Sequence, residues 1–354
     1  MNHLYPSALH RQTRGFLALF LASLLWAQPL LAEPPLPAYQ WQTPAPGIHV
    51  AVKPAAHRFI DSNVTIIENA EDLIIVDAND NLTNAKQLIA DIKQRWSKPV
   101  SAVITTHWHS DHLLANHYYR QAFGSDVQFI GHASLQQTIP TKAQAQLTER
   151  INNWQTAIDK AQQTLSQNPL DTALAEKIKR AEQTLTELQG IELRIPDVTF
   201  NEKMVLKRPG RSIELLFFGP AHTAGDTVVY LPDDKVLISG DLFDEIPFGG
   251  HGFLQSWLST LQQIDTLNFT QVIPGHGAIH RDRRYLQQVT ALIADALTRA
   301  RLAHQKQQDE ATFLAQLPLD SLRQPFSGQD ELAGRVSAQF IPEFYTLAYR
   351  QTQP

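Results

Sequence analysis

Cysteine is absent from the whole 354-residue sequence. That absence excludes disulfides, thiolate metal ligands and a thiol nucleophile, so any metal site must be built from histidine and carboxylate. It also suits an oxidising compartment, where thiols are at risk. Basic charge is scarce: 30 Lys and Arg stand against 35 Asp and Glu, a formal charge of -5. Nothing here resembles a polyphosphate-binding surface, which argues against nucleic acid as a partner. An apolar run of the roughly 20 residues needed to span a membrane is lacking too. The run from Gly15 to Ala27 has 13 residues, follows Arg11 and Arg14, and leads to Ala32 before Glu33. That order predicts an export signal over residues 1–32, cleaved after Ala32, and a periplasmic chain with no stable membrane anchor. Losing the two arginines leaves 28 basic and 35 acidic residues, a charge of -7.

What is present reads as a globular chain, 43% apolar and 18% charged, rather than a disordered one. Residues 33–46 contain Pro34, Pro35, Pro37, Pro44 and Pro46, and predict an extended tether ahead of a domain over 47–310. Within it, Val64–Glu68 and Leu73–Asp77 predict a hairpin, Thr83–Trp96 an amphipathic helix, and Ala102–Thr105 a strand. Strands are expected again at Ile213–Phe218, Thr227–Leu231, Val236–Gly240 and Gln271–Pro274, with a helix near Leu254–Leu267. This order favours a two-sheet sandwich flanked by helices over a single parallel sheet. Between the halves, residues 141–189 carry apolar stripes at Ile151, Trp154, Ile158, Ala161, Leu165 and at Leu174, Ile178, Ala181, Leu185, Leu188. These predict an inserted helical hairpin packed on itself and on the domain, with a substrate lid or partner surface as the alternative. A helix is expected over Arg283–Gln308, and residues 311–354 form a C-terminal helical extension.

The chemistry concentrates in Thr106-His-Trp-His-Ser-Asp-His112. His107 and His109, two apart at a strand end, point the same way; Asp111 and His112 follow at the turn. Buried ionisable groups must be paired or coordinated, so four metal-capable side chains in six residues make a poor core and a good half-site. The rest must come from other loops, because zinc takes three or four protein ligands. Three loops qualify: Gly219-Pro-Ala-His-Thr-Ala-Gly-Asp226, Ser239-Gly-Asp241 and Pro274-Gly-His-Gly277. His117 and His132 read as structural histidines. His251, in Phe248-Gly-Gly-His-Gly252, lies on a flexible loop that could face substrate.

His-x-His-x-Asp-His at 107–112, followed by His222, Asp241 and His276, resembles the metallo-β-lactamase superfamily. The resemblance implies an α+β fold, the αβ/βα sandwich of two mixed sheets, here with an inserted helical hairpin. It also implies two zinc ions: the first on His107, His109 and His222, the second on Asp111, His112 and His276, with Asp241 bridging. Asp77 matches a position that supports such sites from behind. The implied activity is hydrolysis of an amide, lactam or ester bond in a small molecule, with His107, His109, Asp111 and His222 holding and orienting the nucleophile. A thioester, lactone or cofactor-related hydrolase without significant lactamase activity is the alternative, and a non-catalytic metal-binding module is the alternative from another class. In lactamases whose site includes a cysteine, a lysine three positions later meets the drug's carboxylate. Here those places hold Asp241 and Asp244, so lactam hydrolysis is expected to be weak and Asp244→Lys to improve it.

Overall fold

A computed structural model describes residues 39–353; the predicted export signal and most of the tether lie outside them. The apolar runs build two sheets. Val64–Glu68 (β3) and Leu73–Val76 (β4) are buried along nearly every residue, so both faces of the sheet they belong to must be covered. With Gln40–Ala45 (β1), Ile48–Val52 (β2), Val100–Thr105 (β5), Gln128–His132 (β6) and Val198–Phe200 (β7) they form a seven-stranded sheet in chain order. Its pairs are antiparallel from β1 to β4 and parallel from β4 to β7. The second sheet runs β12-β11-β10-β9-β8 through Lys203–Arg208 (β8), Arg211–Leu216 (β9), Val228–Leu231 (β10), Val236–Gly240 (β11) and Gln271–Pro274 (β12). Only its β11–β12 pair is parallel. Both sheets are therefore mixed, as expected.

Three apolar layers follow from strand alternation. Val50, Ile67, Ile74 and Ile104 of the first sheet meet Leu215, Val229, Ile238 and Ile273 of the second. On the far side of the first sheet, Ile66, Ile75 and Val103 pack on Leu88 and Ile92 of Leu82–Arg95 (α1), whose N-cap Asn81 side chain accepts the Asn84 N–H. Helices Ser110–Leu113 (α2), Asn116–Phe123 (α3) and Leu135–Thr138 (α4) follow, then a π-type turn at Ile139–Ala143. The second sheet's outer face, with Val228, Leu237 and Val272, is covered by Trp257 and Leu261 of Leu254–Asp265 and by Val289 and Ile293 of Arg284–Gln305.

Two boundaries differ from the sequence reading. Residues expected in the tether form β1, which pairs with β2 through Trp41 and Ala51. Its Pro44 falls at a register irregularity on an edge strand, where a missing N–H costs little. The C-terminal segment is likewise no appendage: Phe313, Phe326, Ile341, Phe344 and Tyr345 are buried in the layer beneath the second sheet. Their helices are Glu310–Ala315, Leu319–Ser327 and Glu331–Gln351, the last called the C-terminal helix below. The chain divides into two compact units, and residues 148–190 make up the described part of the smaller. There Gln144–Gln167 and Thr172–Gln189 are helical, and Ile158, Ile178 and Leu185 form a shared buried seam. This is the anticipated hairpin.

Candidate metal centre

Four strand ends deliver the site. β5 leads into Thr106–His109, and His109 is the N-cap of α2, which carries Asp111 and His112. The loop after β9 brings His222, β11 ends before Asp241, and β12 ends before His276. Asp226, pushed up to about 7 by burial, holds the His222 loop by accepting the N–H groups of Ala221 and Thr223.

The ligand-capable atoms of His107, His109, His222 and Asp241 lie within 4.8 Å of one another, as do those of Asp111, His112 and His276 and those of Asp241, Asp244 and His276. Asp241 joins the first two groups. Its Oδ2 is 3.6 Å from Nε2 of both His107 and His222 and 3.5 Å from Nε2 of His276, while its Oδ1 is 3.1 Å from Nε2 of His112. His276 Nε2 is 2.9 Å from Asp111 Oδ2. All seven sequence-predicted residues thus meet at one place. His117 and His132 do not join them: the first contacts Gln121 and the Glu192 N–H, and the second contacts Ser134 and the Asn201 carbonyl.

Electrostatics divides the cluster. Burial and neighbouring imidazoles push His107 and His109 well below the usual histidine range, and burial takes His222 down to about 4. His112 and His276 go the other way, because Asp241 and Asp111 outweigh the burial that would lower them. The same contacts hold Asp111 and Asp241 below the carboxylate range despite burial.

The donor set fits a metal. Among the described residues His107 Nε2 is buried without a hydrogen-bond partner, its nearest carboxylate oxygen 3.6 Å away, and a desolvated, unsatisfied polar atom costs about 1–3 kcal/mol unless something coordinates it. Gly275 keeps the space open: a Cβ there would lie 2.0 Å from Asp241 Oδ1 and 3.0 Å from His112 Cε1. Supporting groups fix the rings. Asp77, held at a positive φ of 66°, accepts from Thr106 N–H at 2.8 Å, Thr106 Oγ1 at 2.9 Å and His112 Nδ1 at 2.9 Å. Thr106 Oγ1 is also 3.0 Å from His107 Nδ1, so one carboxylate orients a histidine from each group.

Sequence reasoning passed over Thr106, and also Asn63, whose side-chain amide donates to the Pro274 and Gly277 carbonyls on either side of His276. A run of polar residues ahead of an apolar strand, Asp61–Asn63, was the available signal. Asp244 is 2% exposed and accepts the His276 N–H at 3.1 Å, so it braces the His276 loop.

A sequence model of the metallo-beta-lactamase superfamily matches residues 57–130 and 147–276, more than half of the chain. The chain belongs to the metallo-beta-lactamase superfamily. Among curated proteins it is 22% identical over 244 residues to a linear primary-alkylsulfatase of Pseudomonas sp., covering 66% of this chain and 44% of that one. The chain therefore spans less than half of that relative. Among solved structures, a metallo-beta-lactamase from Pontibacter korlensis is 20% identical with a TM-score of 0.52, over 73% of this chain and 99% of that one. A stereoselective inverting sec-alkylsulfatase from Pseudomonas sp. is 15% identical with a TM-score of 0.61, over 89% of this chain and 50% of that one. At these identities the likeness shows the fold.

Proposed function

We propose that this member of the superfamily is a dizinc hydrolase that cleaves an ester-type or amide-type bond of a small molecule, exported to the periplasm. The observation that carries the reading is Asp241, within 3.6 Å of the nearest ligand-capable nitrogens of both histidine groups. His107, His109 and His222 would hold one ion, and Asp111, His112 and His276 the other. An all-imidazole-and-carboxylate set without thiolate suits zinc. When bound, the ions supply Lewis acidity and draw the pKa of water from 15.7 toward about 7. Asp111, kept ionised by His112 and His276, orients the attacking water as a hydrogen-bond acceptor. Thr106 and Asp77 keep the imidazoles from swivelling, and no side chain of the protein forms a covalent intermediate.

A sulfate ester is the second reading. Two observations favour it: the likeness to alkylsulfatases, and Lys142, whose ammonium lies 5.6 Å from the Trp108 ring. Trp108 in turn stands 4.6 Å from the His109 ring. Among the described residues Lys142 has no carboxylate partner, so a cation is available near the first histidine group for an anionic substrate. Elemental analysis, together with a chromogenic lactam, an aryl ester, a thioester and an alkyl sulfate, tests both readings. Bound zinc near two per chain and turnover of the aryl ester or thioester are expected. Turnover of the alkyl sulfate alone favours the second reading, and a zinc-free, fully active protein refutes both. Mass spectrometry of the exported protein should find Glu33 at its N-terminus; an intact Met1 on the periplasmic form would contradict export by cleavage.

A further inference from the structure

We infer that the Phe248–Gly252 loop is the outer support of the first ion's histidines, and that Gln351, near the end of the C-terminal helix, holds that loop in place. The inference rests on the metal reading above. An imidazole bound through one nitrogen can swivel unless its other nitrogen is held, and such supports typically affect metal affinity by about 10- to 100-fold. His107 and His112 are held by the Thr106–Asp77 pair, which does not reach His109 or His222. Those two are held from the loop. His222 Nδ1–H donates to the Phe248 carbonyl at 3.0 Å, and His109 Nε2 lies 2.9 Å from His251 Nδ1. With Nδ1 of His109 facing His222 and the metal position, its proton sits on Nε2 and His251 accepts it.

The loop is short, glycine-rich and flexible on sequence grounds, so something must fix it. Gln351 does so from both sides: its side-chain amide donates to the Gly252 carbonyl at 2.7 Å, and its carbonyl accepts the Leu254 N–H at 2.9 Å. Phe253 N–H donates to the carbonyl of Ala221, next to His222, at 2.7 Å. The Phe248 ring packs edge-on against Phe340 of the same helix at 5.1 Å. Gly249 lies so close to Phe344 that a Cβ would meet its ring at 3.0 Å. His251 itself stands 5.0 Å from the Trp108 ring and 5.7 Å from Phe248. A helix that sequence reading made an extension is thus coupled to the metal ligands through the Gln351 hydrogen bonds and the packing of Phe340 and Phe344.

His251 and Gln351 are positioning residues. The test uses the full chain with His251→Ala, His251→Gln and Gln351→Ala, compared by zinc competition against a chromophoric chelator and by the visible spectrum of the cobalt-substituted protein. His251→Ala and Gln351→Ala should each weaken one of the two ions by about tenfold or more and shift the cobalt bands. His251→Gln, which restores an acceptor for His109, should recover most of both. His251 is exposed, so its variants fold even if Gln351→Ala does not. Wild-type affinity and wild-type spectra in His251→Ala would overturn the inference while leaving the metal reading intact. A wild-type chain that binds no zinc would instead overturn that reading.

Discussion

Gly275→Ala removes no ligand, no charge and no hydrogen bond, yet it should damage the metal centre selectively. The new Cβ would lie 2.0 Å from Asp241 Oδ1, so one of them must move by roughly 1 Å to reach the shortest distance real Cβ atoms tolerate. The backbone cannot retreat easily. Gly275 N–H donates to the Gly240 carbonyl at 2.9 Å, and its own carbonyl accepts the Asn63 N–H at 2.7 Å. Asp241 must therefore rotate away from the point where it faces both histidine groups. Overpacking of this kind costs about 1–3 kcal/mol, and at 1.4 kcal/mol per factor of ten the metals should bind about 5- to 150-fold more weakly. In the metal-free protein Asp241 turns aside at smaller cost, so the loss should appear mainly as reduced stabilisation by zinc. A hundredfold weaker site gives up about 2.7 kcal/mol of that stabilisation. Chelator competition and thermal unfolding with and without zinc measure both quantities. Wild-type zinc affinity in Gly275→Ala would refute the placement of Asp241 between the two sets.

Proton release separates the two metal positions. His112 and His276 are raised above the usual range and hold protons at neutral pH, whereas His107, His109 and His222 are depressed and neutral. Metal uptake by the Asp111 set should thus expel about two protons and tighten as pH rises toward those raised values, while the other set expels almost none. Calorimetry in two buffers of different ionisation enthalpy reads this, and equal release at both positions would refute it. Asp244 is buried, and its pKa is driven well above the carboxylate range by desolvation and by Asp241. Asp244→Asn, which keeps an acceptor for the His276 N–H, should retain metal. Asp244→Lys should lose about 1–3 kcal/mol of stability by leaving the His276 N–H without its acceptor; a stable Asp244→Lys protein with improved lactam hydrolysis would favour the substrate-facing reading. Replacing residues 148–190 with a short bridge should leave zinc content unchanged, since none of the seven ligand candidates lies there, and a folded but metal-free deletion would contradict that.

The ligand candidates were legible because they are local. His107, His109, Asp111 and His112 sit in one six-residue stretch, and His222, Asp241 and His276 each lie in a loop that follows a strand announced by its apolar run. The mixed-sheet sandwich and the hairpin were legible for the same reason, since periodicity of two or 3.6 is a property of consecutive residues. The outer supports were not. Asp77 directly after its strand and Asp244 in the loop after β11 are both acids, and only the packing distinguishes a brace for a backbone N–H from a partner of His112. No sequence signal marks the Phe248 carbonyl as the acceptor for His222, because every residue has a carbonyl. Pro44 argued against a strand until the edge position made its missing N–H harmless. The helix carrying Gln351 read as an addition because its partners, Gly252 and Leu254, lie about a hundred residues away. Residue type and spacing thus determined which groups could bind a metal, and long-range packing decided which way each of them is held.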